Sequence, residues 1–176
     1  MPEPLAFTTL DSPVGPLTLV ASEAGLRMLL FAPSARKADA SAWVWQPGHP
    51  VLVRAARELG EYFEGARTAF DVPLDLRGTP FQRTVWALLR EIPYGATTTY
   101  GALAERLGGL TKTRAVGGAN GRNPVGIIVP CHRVVGASGA LTGFAGGLDA
   151  KAYLLRLERR YAPAETTGQG DLFAAV

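Results

Sequence analysis

Cys131 is the only cysteine in a chain of 176 residues, and His132, one of two histidines, follows it directly. The pair lies in PVGIIVPCHRVVG, residues 124–136. A lone cysteine forms no internal disulfide and builds no zinc site, so it is either a small buried hydrophobe or a reactive sulfur. A free thiol has a pKa of about 8.5 and attacks poorly at neutral pH until a base or a positive dipole helps it lose its proton. His132 is close enough in sequence to be that base, directly or through a water, and such a base needs an orienting partner. Glu158 and Asp149, near the end of the chain, are carboxylates that fit that part. A proline-led turn carrying His and Arg is an odd place for pure packing.

The formal net charge is only +3, which permits nucleic-acid binding without requiring it. Arg83, Arg90, Arg106, Lys112, Arg114, Arg122 and Arg133 gather in the segment that holds the cysteine. An ordinary solvated face explains that cluster equally well. MPEPLAFTTL has neither a basic start nor a long apolar run, so no signal peptide is expected. No stretch approaches the roughly 20 apolar residues of a membrane span. A soluble, cytoplasmic protein without a membrane partner is the expectation, and the single cysteine fits a reducing compartment.

The elements that must position the cysteine fall into two groups. FTTL, GPLTLVAS and AGLRMLLF read as strands of a meander. Residues 32–50 lack a clear period and read mostly as loop. Leu52, Ala55, Ala56, Leu59, Tyr62 and Phe63 recur at helical spacing up to Gly65. FDVPLDL alternates like a half-exposed strand, with Pro73 favouring an edge. Thr79 and Pro80 then mark a helix start, with Phe81, Val85, Leu88, Leu89 and Ile92 as its buried stripe. TTTYGALAERLGG and TRAVGGANGRN read as two short helices with the outline of a helix-turn-helix. DAKAYLLRLERR is a last amphipathic helix, expected to be capped by Asp149. Gly117 and Gly118 inside the second short helix cost roughly 1 kcal/mol each relative to alanine. Close packing on a neighbouring helix and close approach of a DNA backbone explain them about equally.

IPYGATTTYGALA, TRAVGGANGRNPVGIIVPCHRVVG and LTGFAGGLDAKAYLLRLE together resemble the O6-alkylguanine-DNA alkyltransferases, also called methylated-DNA–protein-cysteine methyltransferases. The likeness is dense over residues 79–158 and looser over SPVGPLTLVASEAGL. It implies an α+β chain with three parts. Residues 1–77 form a ribonuclease H-like sheet-and-helix domain, 78–160 a mostly helical DNA-binding and transfer domain, and 161–176 a tail. It implies single-turnover DNA repair, with the alkyl group of O6-alkylguanine, and of O4-alkylthymine, passing irreversibly to Cys131. His132 would be the base, acting through a bridging water, with Glu158 orienting it and Asn123 serving as the hinge between recognition helix and active-site turn. Tyr100 would help rotate the target nucleotide, and Arg114 would fill the gap it leaves. Ala115, Gly117, Gly118 and Arg122 would lie along the minor-groove face. Backbone groups of Val134 and Ala145 would read the guanine edge, Phe144 would wall the pocket where the family usually has tyrosine, and Lys151 would lie near it or in solvent. Gly126 and Phe144 suggest room for the alkyl group.

Zinc-binding relatives use cysteine and histidine ligands; with only His49 to spare, and that expected in a surface loop, no metal and no cofactor are expected. The partner is double-stranded DNA carrying the lesion, bound by a monomer. In the tail, Gln169, Asp171, Leu172 and Phe173 resemble the short peptides that bind the bacterial sliding clamp, and a frayed end is an equal alternative. The rival activity is a non-catalytic alkylated-base binder that recruits other factors; relatives of that type replace the reactive cysteine.

Overall fold

The computed structural model describes residues 3–164; the clamp-like residues Gln169, Asp171, Leu172 and Phe173 lie outside them. The chain divides into two compact units, one comprising residues 1–77 with 124–126 and the other 78–123 with 127–176.

In the first unit, β1 (Leu5–Leu10), β2 (Leu17–Ser22) and β3 (Gly25–Phe31) pair antiparallel as the expected meander. A four-residue helix α1 (Ala32–Ala35) follows, then a short strand β4 (Trp43–Trp45) laid parallel on β1. The order is β3-β2-β1-β4. Three residues are too few to leave a periodic signal, which is why 32–50 reads as loop in the sequence. The helix α2 (Pro50–Phe63) turns Leu52, Ala55, Leu59 and Tyr62 into the core. His49 is not a free surface residue: it is the N-cap of α2, and its Nδ1 accepts from the Val51 amide at 3.3 Å.

FDVPLDL forms no strand. Only Leu74 bridges to Leu26. The fully buried Glu58 of α2 takes the place of a partner strand and accepts from the amides of Asp71 (3.0 Å) and Val72 (3.1 Å). Backbone donors that a strand partner would satisfy are thus met by one carboxylate. Pro124–Gly126 join this unit, with the Leu29 amide donating to the Pro124 carbonyl at 2.9 Å. Gly126 is bare for packing reasons: a Cβ there would lie 2.9 Å from the Phe31 ring. Its missing side chain is room already taken, not room for an alkyl group.

The second unit opens with α3 (Pro80–Leu89), whose start is a reciprocal capping box between Thr79 and Gln82. Val85, Leu89 and Trp86, absent from the expected stripe, face inward. The indole of Trp86 donates to the Ala119 carbonyl at 2.8 Å. A short strand β5 (Thr98–Thr99) leads into α4 (Tyr100–Arg106), with Thr99 as N-cap, and a 3-10 turn at Leu110–Lys112 leads into α5 (Thr113–Gly121). The 3-10 turn Cys131–Arg133 runs into β6 (Val134–Val135), which pairs parallel with β5. The last helix is α6 (Leu148–Tyr161); Gly147 occupies its N-cap at φ 90, and Asp149 lies within the first turn, not at the cap. There Asp149 can favour the helix dipole.

Candidate active site

Cys131 begins the 3-10 turn and is 7% exposed. The chain reaches it through Ile127, a fully buried β-branched residue at φ 68. Such a conformation costs on the order of 1–3 kcal/mol and persists only where its surroundings enforce it. The side chain of Asn123, at the end of α5, donates from Nδ2 to the Val129 carbonyl at 2.7 Å and also hydrogen-bonds Cys131. One amide side chain therefore joins the end of the helix to the cysteine turn. Burial pushes the Cys131 thiol up, against the smaller opposing effects of the Asn123 hydrogen bond and the nearby Lys151 charge. The sulfur rests as a thiol and needs a base.

That base adjoins it. His132 is fully buried, and its Nε2 lies 2.7 Å from Glu158 Oε1 on α6. Burial would raise the Glu158 carboxyl, but His132 and Arg133 outweigh it and hold the group below the usual carboxylate range. Burial also lowers His132, against the pull of Glu158 and with the help of the Arg133 charge. An ionised carboxylate only accepts, so Nε2 carries the imidazole proton and Nδ1 the lone pair. Nδ1 is buried and has no hydrogen-bond partner among the described residues. Asp149, the other carboxylate considered for orienting the histidine, is exposed in the first turn of α6, and the position beside the ring belongs to Glu158.

Arg133 is the residue that sequence reasoning missed. Counted there among the surface cations, it is buried: Nε and Nη2 donate to the two oxygens of Glu158 at 2.9 and 2.8 Å, and Nη1 donates to the Ile92 carbonyl at 2.6 Å. A buried carboxylate with two oxygens and one imidazole partner leaves an acceptor open, and that was the available signal.

Lys151 is not in solvent. It is fully buried, with Nζ donating to the carbonyls of Val134 (2.6 Å) and Thr142 (2.8 Å). Of the Val134 backbone groups expected to read guanine, the carbonyl is thus already bonded to an ammonium. Phe144 turns its ring edgewise to His132, with centroids 6.5 Å apart. Tyr100 accepts from Thr142 Oγ1 at 3.1 Å, which ties the start of α4 to the same loop. Ala145 is exposed on that loop.

On α5, Arg114, Ala115 and Gly118 are exposed, with Arg122 exposed at its C-cap. A Cβ at Gly118 would meet nothing within 4 Å, and one at Gly117 only Tyr100 Cδ1 at 3.9 Å. Neither glycine is needed for packing inside the unit. Among the described residues, no cluster of His, Cys, Asp or Glu could hold a metal ion, and no helix is long and apolar enough to cross a membrane.

A buried thiol beside a carboxylate-held imidazole, on a unit that also presents an open helix of small and cationic residues, defines a cysteine-nucleophile protein built on a helix-turn-helix scaffold. Residues 5–76 match the ribonuclease-like domain of the 6-O-methylguanine DNA methyltransferases, and residues 80–160 match their DNA-binding domain. The chain is 48% identical to the methylated-DNA–protein-cysteine methyltransferase of Mycobacterium tuberculosis over 92% of its own length and 96% of that protein. It is also 48% identical to the Mycolicibacterium paratuberculosis protein of the same name, over 93% and 98%. The crystal structure of the M. tuberculosis protein in complex with DNA superposes with a TM-score of 0.83, covering 92% of this chain and 98% of that one. The chain belongs to the methylated-DNA–protein-cysteine methyltransferase family.

Proposed function

We propose that this protein repairs double-stranded DNA by moving the alkyl group of O6-alkylguanine onto Cys131, once and irreversibly. The observation that carries the reading is a buried cysteine followed directly by a fully buried histidine whose Nε2 lies 2.7 Å from the buried Glu158 carboxylate. The Cys131 proton passes through a bridging water to His132 Nδ1, while the proton on Nε2 stays there, hydrogen-bonded to Glu158. The sulfur then attacks the alkyl carbon, an S–C bond forms and the C–O6 bond breaks. Guanine leaves as an anion and recovers a proton from the imidazolium. The chain gains one alkyl group in place of one thiol hydrogen. A thioether is not reversed by thiols, so each molecule acts once.

The alkyl carbon of a stacked base cannot reach the sulfur of a cysteine that is only 7% exposed, so the nucleotide must be extruded. Unstacking costs a few kcal/mol, less at a badly paired lesion. Open space over Gly118 supports α5 as the minor-groove element, with Ala115 and Arg122 along it, Arg114 filling the vacated stack and Tyr100 steering the nucleotide. Phe144 and the backbones of Val134 and Ala145 bound the pocket. Residues 78–160 would carry both DNA reading and transfer, in a cytoplasmic monomer that also accepts O4-alkylthymine. Gln169, Asp171, Leu172 and Phe173 are proposed to dock on the sliding clamp; deletion of 169–176 should abolish clamp binding and spare transfer.

The test is intact-protein mass after incubation with duplex DNA bearing O6-methylguanine. The wild type should gain one CH2 and Cys131→Ala nothing. Tight lesion binding with no mass gain would sink transfer and favour the non-catalytic binder.

A further inference from the structure

Arg133 takes no part in the reaction as written, yet it is bound more tightly than any other side chain of the turn. Its side chain is 8% exposed, and its guanidinium spans both oxygens of Glu158, reaches the Ile92 carbonyl and lies 5.8 Å from the Tyr94 ring centroid. We propose that Arg133 is a positioning residue for alkyl transfer: by pairing with both oxygens of Glu158 it keeps that carboxylate a fixed anion and leaves His132 neutral, with Nδ1 open to the thiol proton.

The argument is one of charge in a dry place. Among the groups facing His132 and Glu158 are Cys131 and Arg133 from the turn, Lys151 from α6, the Tyr94 phenol, the Phe144 ring from the loop, and the Gly95 amide, 3.4 Å from Glu158 Oε2. Arg133 and Glu158 cancel, so a neutral His132 leaves the trio uncharged. Remove the guanidinium and the buried carboxylate loses the cation that bonds both of its oxygens, beside a basic imidazole. Burying that charge becomes more costly, and the nearest remedy is a proton on Nδ1. An imidazolium cannot accept the thiol proton, so the first step would stall. Lys151 does not substitute, because its ammonium is bound to the Val134 and Thr142 carbonyls. Planar, bidentate pairing also fixes the carboxylate plane, and through it the ring, in a way a point charge cannot.

The proposal rests on the transfer reading for its consequence, but proton placement can be read independently. With His49→Gln as the reference background, His132 is the only histidine, and its ring nitrogens can be followed by nitrogen-15 NMR against pH, in Arg133→Met and Arg133→Lys. The reference should keep the neutral Nε2–H form to below the ordinary imidazole value of 6.5. Arg133→Met should take up a proton near neutral pH, and its methyl-transfer rate there should fall about tenfold or more and recover as pH rises. Arg133→Lys should restore most of both. An unchanged histidine titration with a pH–rate curve merely scaled down would make Arg133 structural and overturn the proposal. If Arg133→Met does not fold, the uncharged Arg133→Gln takes its place: an upward histidine shift supports the proposal, and no shift in titration or pH–rate profile overturns it. If histidine titration responds while the reference transfers nothing, the proton placement stands and the function fails.

Discussion

The ammonium of Lys151 donates to the carbonyl of Val134 across 2.6 Å, tying α6 to the strand that leaves the cysteine turn. The same nitrogen holds the Thr142 carbonyl, so one buried lysine fixes both sides of the loop that carries Phe144 and Ala145. Lys151→Met keeps the stem and removes both bonds, leaving two carbonyls without their donor. Losses of about 2–3 kcal/mol follow from that. Hydrogen exchange should quicken at residues 142–147, and thermal melting should fall. Unaltered exchange in that loop would mean the lysine does not hold it.

Acid should act on the two units through different groups. Arg77 foremost, then Ser22 and Arg27, hold Asp75 below its ordinary 3.8, and Glu158 is held below 4.5. A depressed carboxylate contributes stability that is fully present above its ordinary value and lost as pH falls toward the native one. His132, depressed by burial, has the same sign at a higher pH: its share is present above 6.5 and shrinks as pH falls through it. Melting temperature against pH should therefore decline from about 6.5 and steepen below about 4.5. Asp75→Asn should flatten the lower limb; an identical slope in that variant would count against the ion pair.

Gly118→Ala separates packing from function. The position is a helix interior with open space, so alanine should raise stability by about 0.5–1 kcal/mol. The same methyl group stands where a DNA backbone is proposed to approach. Affinity for lesion-free duplex should fall while the melting point rises. Unchanged affinity would remove α5 from the interface.

Gly126→Ala should show the opposite balance. The Phe31 ring must give way to a Cβ placed 2.9 Å from it, and overpacking of this kind costs about 1–3 kcal/mol. The ratio of methyl to benzyl transfer should not move. A selective loss of the bulkier group would restore Gly126 to the pocket.

Signals that travel along the chain were legible before the structure. Thr79 with Pro80 and Gln82, Thr99 before α4, and the apolar stripe of α2 are local: neighbours within one or two turns decide them. Cys131 and His132 were legible because their side-chain types are rare and chemically complementary, whereas Glu158 and Asp149 stood level as orienting carboxylates until the family resemblance pointed to Glu158. The 70–76 segment misled because alternation reports which faces are apolar and is silent on whether a strand or a carboxylate such as Glu58 meets the backbone. His49 misled because one imidazole nitrogen can cap a helix as an Asp or Ser would.

By itself the sequence determined the chemistry on offer: one thiol, one adjacent imidazole, a distant carboxylate, and a pair of glycines where helices dislike them. Tertiary structure alone decided which charges are inside. Arg133 and Lys151 look in the sequence like any other cations, and burial becomes tolerable for each only because partners distant in sequence satisfy them: Glu158 and Ile92 for one, Val134 and Thr142 for the other. Desolvation is a property of the surrounding space, and no spacing of residue types along a chain encodes it.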